Sequence, residues 1–232
     1  IVADVDTIND KLHSISFLNQ KIGRAEAGEN VVANDLRDQR DKLVRELGEY
    51  VDISFFEDKS GMVNIRGPGG AILVDKIKAG ILSLKQDPEQ GGMYRIFNLD
   101  AKGESGKEIT SAVKGGRLKG LLEIRDGVLQ KLIRNNDNMA ENFAREFNKI
   151  HSKGFGVKEY SDQAGRNFFS NLGGQHVASD IKLDDSILNS VNAISAASTA
   201  NASGDNIVAN TLATLGAQKI MGEAGATFNE YY

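Results

Sequence analysis

The sequence predicts an α+β protein: an elongated helical bundle of long antiparallel helices that carries an inserted small antiparallel β domain. Apolar residues recur at alternating spacings of three and four in residues 1–50 and again in 118–150, which is the period of one helix face. Residues 51–116 break that pattern, holding both prolines and 11 of the 25 glycines among short β-rich runs. Proline inside a helix costs about 3 kcal/mol, so the absence of proline on either side of this stretch fits a helical body. The expected domains are a discontinuous helical one, 1–50 with 117–232, and a β-rich insertion, 51–116.

The first helix is carried by Ile1, Val5, Ile8, Leu12, Ile15 and Ile22, a heptad-like seam interrupted at Asn19. Phe17 and Leu18 widen its apolar stripe, so it should pack against more than one neighbour. Gly23, Gly28 and Asn30 mark a turn, with Asn30 or Asn34 as a cap for the second helix. Leu36, Leu43, Leu47 and Tyr50 continue the spacing with Arg40 at a seam position. Asp38 with Lys42 and Asp41 with Arg45 stand four apart as ion pairs. These features make two antiparallel helices joined by a short loop.

Five strands are expected, at 51–56, 62–66, 71–74, 81–85 and 93–99. Helical spacing returns at Leu118, Leu121, Leu122, Arg125, Leu129, Leu132, Met139, Phe143, Phe147 and Ile150, with a change of register near Phe143 to Phe147. Residues 154–201 are irregular apart from a strand at 179–183. Asp205 then caps a last helix bearing Val208, Leu212, Leu215 and Met221. The helix-packing residues expected are Ile8, Leu12, Ile15, Ile22, Leu36, Leu43, Leu47, Leu122, Leu129, Leu132, Phe143, Phe147, Leu212 and Leu215. Both ends stop inside apolar-bearing helical pattern, which reads as a trimmed fragment.

Charge is scattered and nets −4, too little positive density on any face for nucleic acid. No apolar run approaches the roughly 18 residues of a membrane span. With no cysteine, no tryptophan and 6% aromatics, the core should be aliphatic and held by packing alone. His13, His151 and His176 are far apart and lack metal-ligand spacing, which makes each a solvated or capping histidine. The run from Gly103 to Lys107 departs from a phosphate loop at Ala101 and Glu108 and reads as a hairpin loop. Arg66-Gly-Pro-Gly-Gly70 precedes a strand and reads as a tight turn. Asp184, Asp185, Glu29 and Glu57 form no acid and base pair, and Asn201-Ala-Ser203 fits a glycosylation acceptor by pattern only. No catalytic residue, cofactor or metal site is expected, and the chain is not read as an enzyme.

Several segments resemble the hook-associated protein 1 family of bacterial flagellar axial proteins, in order as well as content. They are Ile15-Ser-Phe-Leu-Asn-Gln-Lys-Ile22, the Asp38-Gln-Arg-Asp41 helix, Gly115-Gly-Arg-Leu-Lys-Gly-Leu-Leu-Glu-Ile-Arg125 and Phe143-Ala-Arg-Glu-Phe-Asn148. His151, Gly154, Phe168-Phe169 and Ala226-Thr-Phe-Asn-Glu-Tyr-Tyr232 complete the series. Lys119 stands where the family usually has glycine, and the large extra β domain that some relatives carry after the Phe-Phe pair has no room here. The resemblance implies an extracellular, secreted subunit that leaves by type III export and forms a ring between hook and filament. Its implied partners are copies of itself in the assembled flagellum, the hook protein, the second junction protein and an export chaperone. Without the terminal segments that drive polymerisation, the fragment is expected to be monomeric. The alternatives are another axial protein, flagellin or the second junction protein, and a helical chaperone or adaptor.

Overall fold

A computed structural model describes the chain apart from residues 28–31, 100–105, 171, 203, 222–224 and 232, and gives the backbone alone for 228 and 229. The fold is α+β, and it divides into two compact units, Ile1–Val128 and Leu129–Tyr232.

In the first unit α1 (Val2–Ala25) and α2 (Asn34–Tyr50) pack side by side. Lys11 meets Glu46 at 2.5 Å and Glu26 meets Arg37 at 2.6 Å, so the helices run antiparallel. The four-apart pairs expected on α2 are replaced by others: Lys42 lies 3.9 Å from Glu46, and Asp41 lies 3.1 Å from Arg40. The cap of α2 also differs, since the N-cap is Ala33 and its N–H is taken by the Glu26 carboxylate at 2.8 Å. The alternative cap, Asn30, is outside the described residues.

A four-stranded antiparallel sheet comes next, β1 (Ser54–Glu57), β2 (Val63–Arg66), β3 (Ile72–Asp75) and β4 (Lys78–Ala79), in that order. A second antiparallel sheet holds β5 (Ile81–Asp87), β6 (Met93–Leu99) and β7 (Gly106–Glu108). The start of the loop expected at Gly103 lies outside the described residues, while its end, Gly106 and Lys107, is in β7. The run from Arg66 to Gly70 is the tight turn expected, with Gly69 and Gly70 at φ 62° and 78°.

The strands do not form a domain of their own, which corrects the expected boundaries at 50/51 and 116/117. Val63, Ile65, Leu73, Val74, Leu82 and Ile96 share one core with Val5, Ile8, Leu12 and Ile15 of α1, Val44 and Leu47 of α2, and Leu118 and Leu122. Sheets this small bury one face only by lying on something else, and here that is α1. Its apolar face serves two layers, with Leu18 buried as expected but Phe17, the other residue expected to widen the stripe, exposed.

The chain re-enters helix at α3 (Gly116–Glu123), packed on α2. Gly116 has φ 75°, and a Cβ there would sit 2.5 Å from the Tyr50 carbonyl carbon, so only glycine admits this approach. Residues 124–129 form a π-helical turn, which leads into α4 (Gln130–His151). The irregularity expected at Phe143 to Phe147 is therefore at 124–129, where the unit division also falls.

In the second unit α4 packs against α5 (Val177–Asp180), α7 (Ile207–Ala213) and β8 (Phe169–Ser170), which pairs with β9 (Lys182–Leu183); the unit also holds the short helices α6 (Asp185–Asn189) and α8 (Phe228–Tyr231). The strand expected at 179–183 is shorter: Ser179 and Asp180 end α5, Ile181 caps it, and only Lys182 and Leu183 form β9. The last expected helix stops at Ala213, followed by a 3-10 turn, Leu215–Ala217, and Met221 sits in a bridge with Ala226. The buried apolar residues of this unit, among them Val177, Ile187, Val208, Leu215 and Met221, include no aromatic, as in the first unit, and the described phenylalanines lie around them only partly buried. Phe143, Phe147, Phe168 and Phe169 cluster, with ring centroids 4.8 Å apart for Phe147 and Phe168 and 4.9 Å for Phe168 and Phe169.

Candidate functional site

The helix-packing residues chosen by spacing do not all lie inside. Ile8, Leu12, Ile15, Ile22, Leu47, Leu122 and Leu215 are buried, and Leu36, Leu43, Phe143, Phe147 and Leu212 are half-buried. Leu129 and Leu132 are exposed, at 46% and 58%, and Ile133 beside them at 44%. Which side of the helix they occupy does not matter: residues 131–136 are exposed on every side, so no described residue covers this stretch of α4. The start of α4 thus presents an apolar face that the second unit leaves open.

Where helices meet strands, three asparagines make the same joint. The Asn9 side chain accepts from the Leu82 N–H at 2.8 Å and donates to the Leu82 carbonyl at 2.9 Å. Asn19 does this with Val63, accepting at 3.1 Å and donating at 2.8 Å, and its amide also donates to the Lys76 carbonyl at 2.7 Å. Asn148 accepts from the Phe168 and Phe169 N–H groups at 2.8 and 2.9 Å and donates to the Phe169 carbonyl at 2.8 Å. A carboxamide has the donor and acceptor of a peptide group, so each helix supplies the strand partner that the sheet lacks. Asn19, which interrupts the apolar seam, is thus a joint and not a flaw.

Arg40 is the second kind of joint. At 1% exposure it donates to the Gly61 carbonyl at 2.8 Å and to Glu57 at 2.9 Å, fixing the β1–β2 turn to α2. Arg37 beside it forks onto Glu26, at 2.7 and 2.6 Å, and reaches Glu57 at 2.7 Å. Hydrogen bonds from Arg37 and from the Ala33 N–H draw the Glu26 carboxyl down to about 2. Burial pushes Glu57 upward, but the two arginines outweigh it and hold its carboxyl below the usual range. The Asp52 carboxylate makes a similar tie, accepting from the N–H groups of Lys114 at 2.9 Å and Gly115 at 3.2 Å at the entry to α3.

His151 corrects the expectation of a solvated or capping histidine. It is wholly buried, with Nδ1 facing the Arg166 carbonyl at 3.0 Å and Nε2 accepting from the Ser195 N–H at 2.9 Å. Burial holds its pKa below the ordinary value. His13 and His176 are exposed. No sequence signal separated the three, because a histidine between polar neighbours reads alike inside and outside.

Among the described residues no group of three or more His, Cys, Asp or Glu could hold a metal, and no helix is long and apolar enough to cross a membrane. A groove of about 610 Å³ in the first unit is lined by Tyr94, Arg95, Glu108, Lys119, Leu122 and Arg125 among others. Its charges are paired: Arg95 with Asp87 at 2.6 Å and Glu108 at 3.1 Å, Lys119 with Glu123 at 3.3 Å, and Arg125 with Asp126 at 2.5 Å. What the residues converge on is joints between elements.

The family model of the flagellar hook-associated protein FlgK helical domain matches residues 1–169. The chain belongs to the FlgK family. It is similar to flagellar hook-associated protein 1 of Bacillus subtilis, at 30% identity over 92% of this chain and 46% of that protein. It is also similar to the protein of the same name from Escherichia coli, at 29% identity over 73% of this chain and 31% of that protein. A solved structure, the flagellar hook junction protein FlgK from Burkholderia pseudomallei, shares the fold with a TM-score of 0.64 over 72% of this chain and 30% of that one, at 24% identity. The chain spans less than half the length of these FlgK relatives. The segments that carried the resemblance fall on the joints: Asp38-Gln-Arg-Asp41 on buried Arg40, Gly115-Gly116 on the close approach to Tyr50, and Phe168-Phe169 on the strand held by Asn148.

Proposed function

We propose that this chain is a structural part of the bacterial flagellum, within a subunit of the ring that joins hook to filament and is needed for filament assembly and motility. The subunit acts outside the cell after type III export, in contact with copies of itself, the hook protein and the second junction protein, and is carried to export by a chaperone. The observation that supports this most is the family match across residues 1–169, on a fold whose polar residues are used as fastenings and not as chemistry. A part built this way transmits load between neighbours and turns over nothing. Helix packing by Leu129 and Leu132 belongs to the assembled state in this reading, since both are exposed in this chain.

The test is complementation of a strain lacking the protein by the full-length gene carrying Leu132→Glu. Filament attachment and swimming should fall sharply while the protein is secreted at its normal level. Normal filaments on Leu132→Glu cells would remove the α4 face from assembly. Normal motility in the uncomplemented strain would remove the flagellar role itself.

A further inference from the structure

The His151 ring sits where three segments of the second unit meet, and each nitrogen has one possible role. Nδ1 faces a carbonyl, Arg166, and must carry the ring proton; Nε2 faces an N–H, Ser195, and must be bare. Phe147 stacks on the ring at 6.3 Å and Phe168 meets it edge-on at 5.4 Å. Among the described residues the hydrogen bond at Nε2 is the one it accepts from Ser195.

The Ser195 segment is in turn the support of α7. The Ala196 carbonyl accepts from the N–H groups of Val208 at 3.0 Å and Ala209 at 3.2 Å, in the first turn of that helix. The Ser195 hydroxyl donates to the Gly154 carbonyl at 3.2 Å, just past the end of α4. The charged groups acting on the ring are Arg166, whose guanidinium stacks on Tyr160 at 4.7 Å and disfavours a second cation, and Asp184 from the start of α6, which favours one. The 193–197 segment itself brings no titratable side chain.

We propose that His151 is an acid-operated latch: its neutral ring ties the end of α4 to residues 193–197, and a proton on Nε2 releases that segment together with the start of α7. Protonation turns the Ser195 contact from donor facing acceptor into donor facing donor, and puts a charge among phenylalanine rings. Burial, which holds the ring neutral in the closed form, leaves it free to take the proton once opened.

Amide exchange read by NMR on the whole chain tests this, with His13 and His176 as exposed references and the amides of Val63 and Leu82 as controls in the other unit. Ser195 protection should fall about tenfold per pH unit below roughly 6.5, the linkage expected for one proton, with Val63 and Leu82 unaffected. The ring should show its proton on Nδ1 and should titrate below the ordinary histidine value. In His151→Gln, whose side-chain oxygen can accept from Ser195 without titrating, the fall should be absent. Constant Ser195 protection between pH 6.5 and 4.5, an equal fall in His151→Gln, or a proton resting on Nε2 would each overturn the latch. The tautomer and exchange readings decide it even where the glutamine variant does not fold.

Discussion

A side chain that ties a helix to a strand must offer both a donor and an acceptor, and the three asparagines do so where aspartate, of the same size, cannot. Asn19→Asp keeps the bond from the Val63 N–H but loses both donated bonds and points a carboxylate at the Val63 and Lys76 carbonyls inside the core. We expect it to cost about 3 kcal/mol in urea unfolding, against under ~0.5 kcal/mol for His13→Ala on the exposed side of α1. Equal losses would mean that the amide does not fasten the sheet. Such residues are half legible in a sequence. Asn19 and Arg40 stand out as polar positions on an apolar seam, but their partners lie 44 residues away for Val63 and 21 for Gly61. Which backbone group they hold depends on how the strands lie, and no local pattern carries that.

Elements were legible where they are long or chemically marked. Each of the five expected strand runs contains a strand, because β-branched and aromatic residues with flanking glycine leave few other conformations. β4 and β7, of two and three residues, are too short to leave a pattern, and their pairing comes from the neighbouring strand. The π turn at 124–129 is invisible for a different reason: it changes the phase of a helix without changing its composition. Spacing also put Leu132 on a buried seam, because a periodic apolar stripe reads the same whether or not another element covers it. The structure separates two leucines that spacing treated alike, Leu47 fully buried and Leu132 exposed. Leu47→Ala should cost about 2 to 5 kcal/mol in this chain, whereas Leu132→Ala should cost under ~0.5 kcal/mol, as measured by thermal or urea unfolding. A large loss from Leu132→Ala would place that face inside the fold and would remove the reason for assigning it to assembly.

At the scale of the whole molecule, the sharp change of composition after Tyr50 marks a change of secondary structure and not the edge of a core. α1 contributes to the same interior as both sheets, so 1–128 holds together as one unit, and composition cannot reveal a shared interior. The two units also differ in what acid does to them. In the first, the Glu26 carboxyl is drawn to about 2 by Arg37, and Asp87 is held below the usual range by Arg95. A carboxylate depressed on folding contributes stability that is complete above its unfolded pKa, about 4, and is lost as pH falls toward the folded value. His151, buried neutral in the second unit, contributes stability that begins to fade below about 6.5, the value of the unfolded ring. The sign is the same, but the windows are separate. Limited proteolysis across pH should therefore cut Leu129–Tyr232 first, near pH 5, while Ile1–Val128 stays resistant until about pH 3 to 4. Simultaneous loss of both units would show that acid acts on them through a common group, and neither the Arg37 and Arg40 network nor His151 would then set the order.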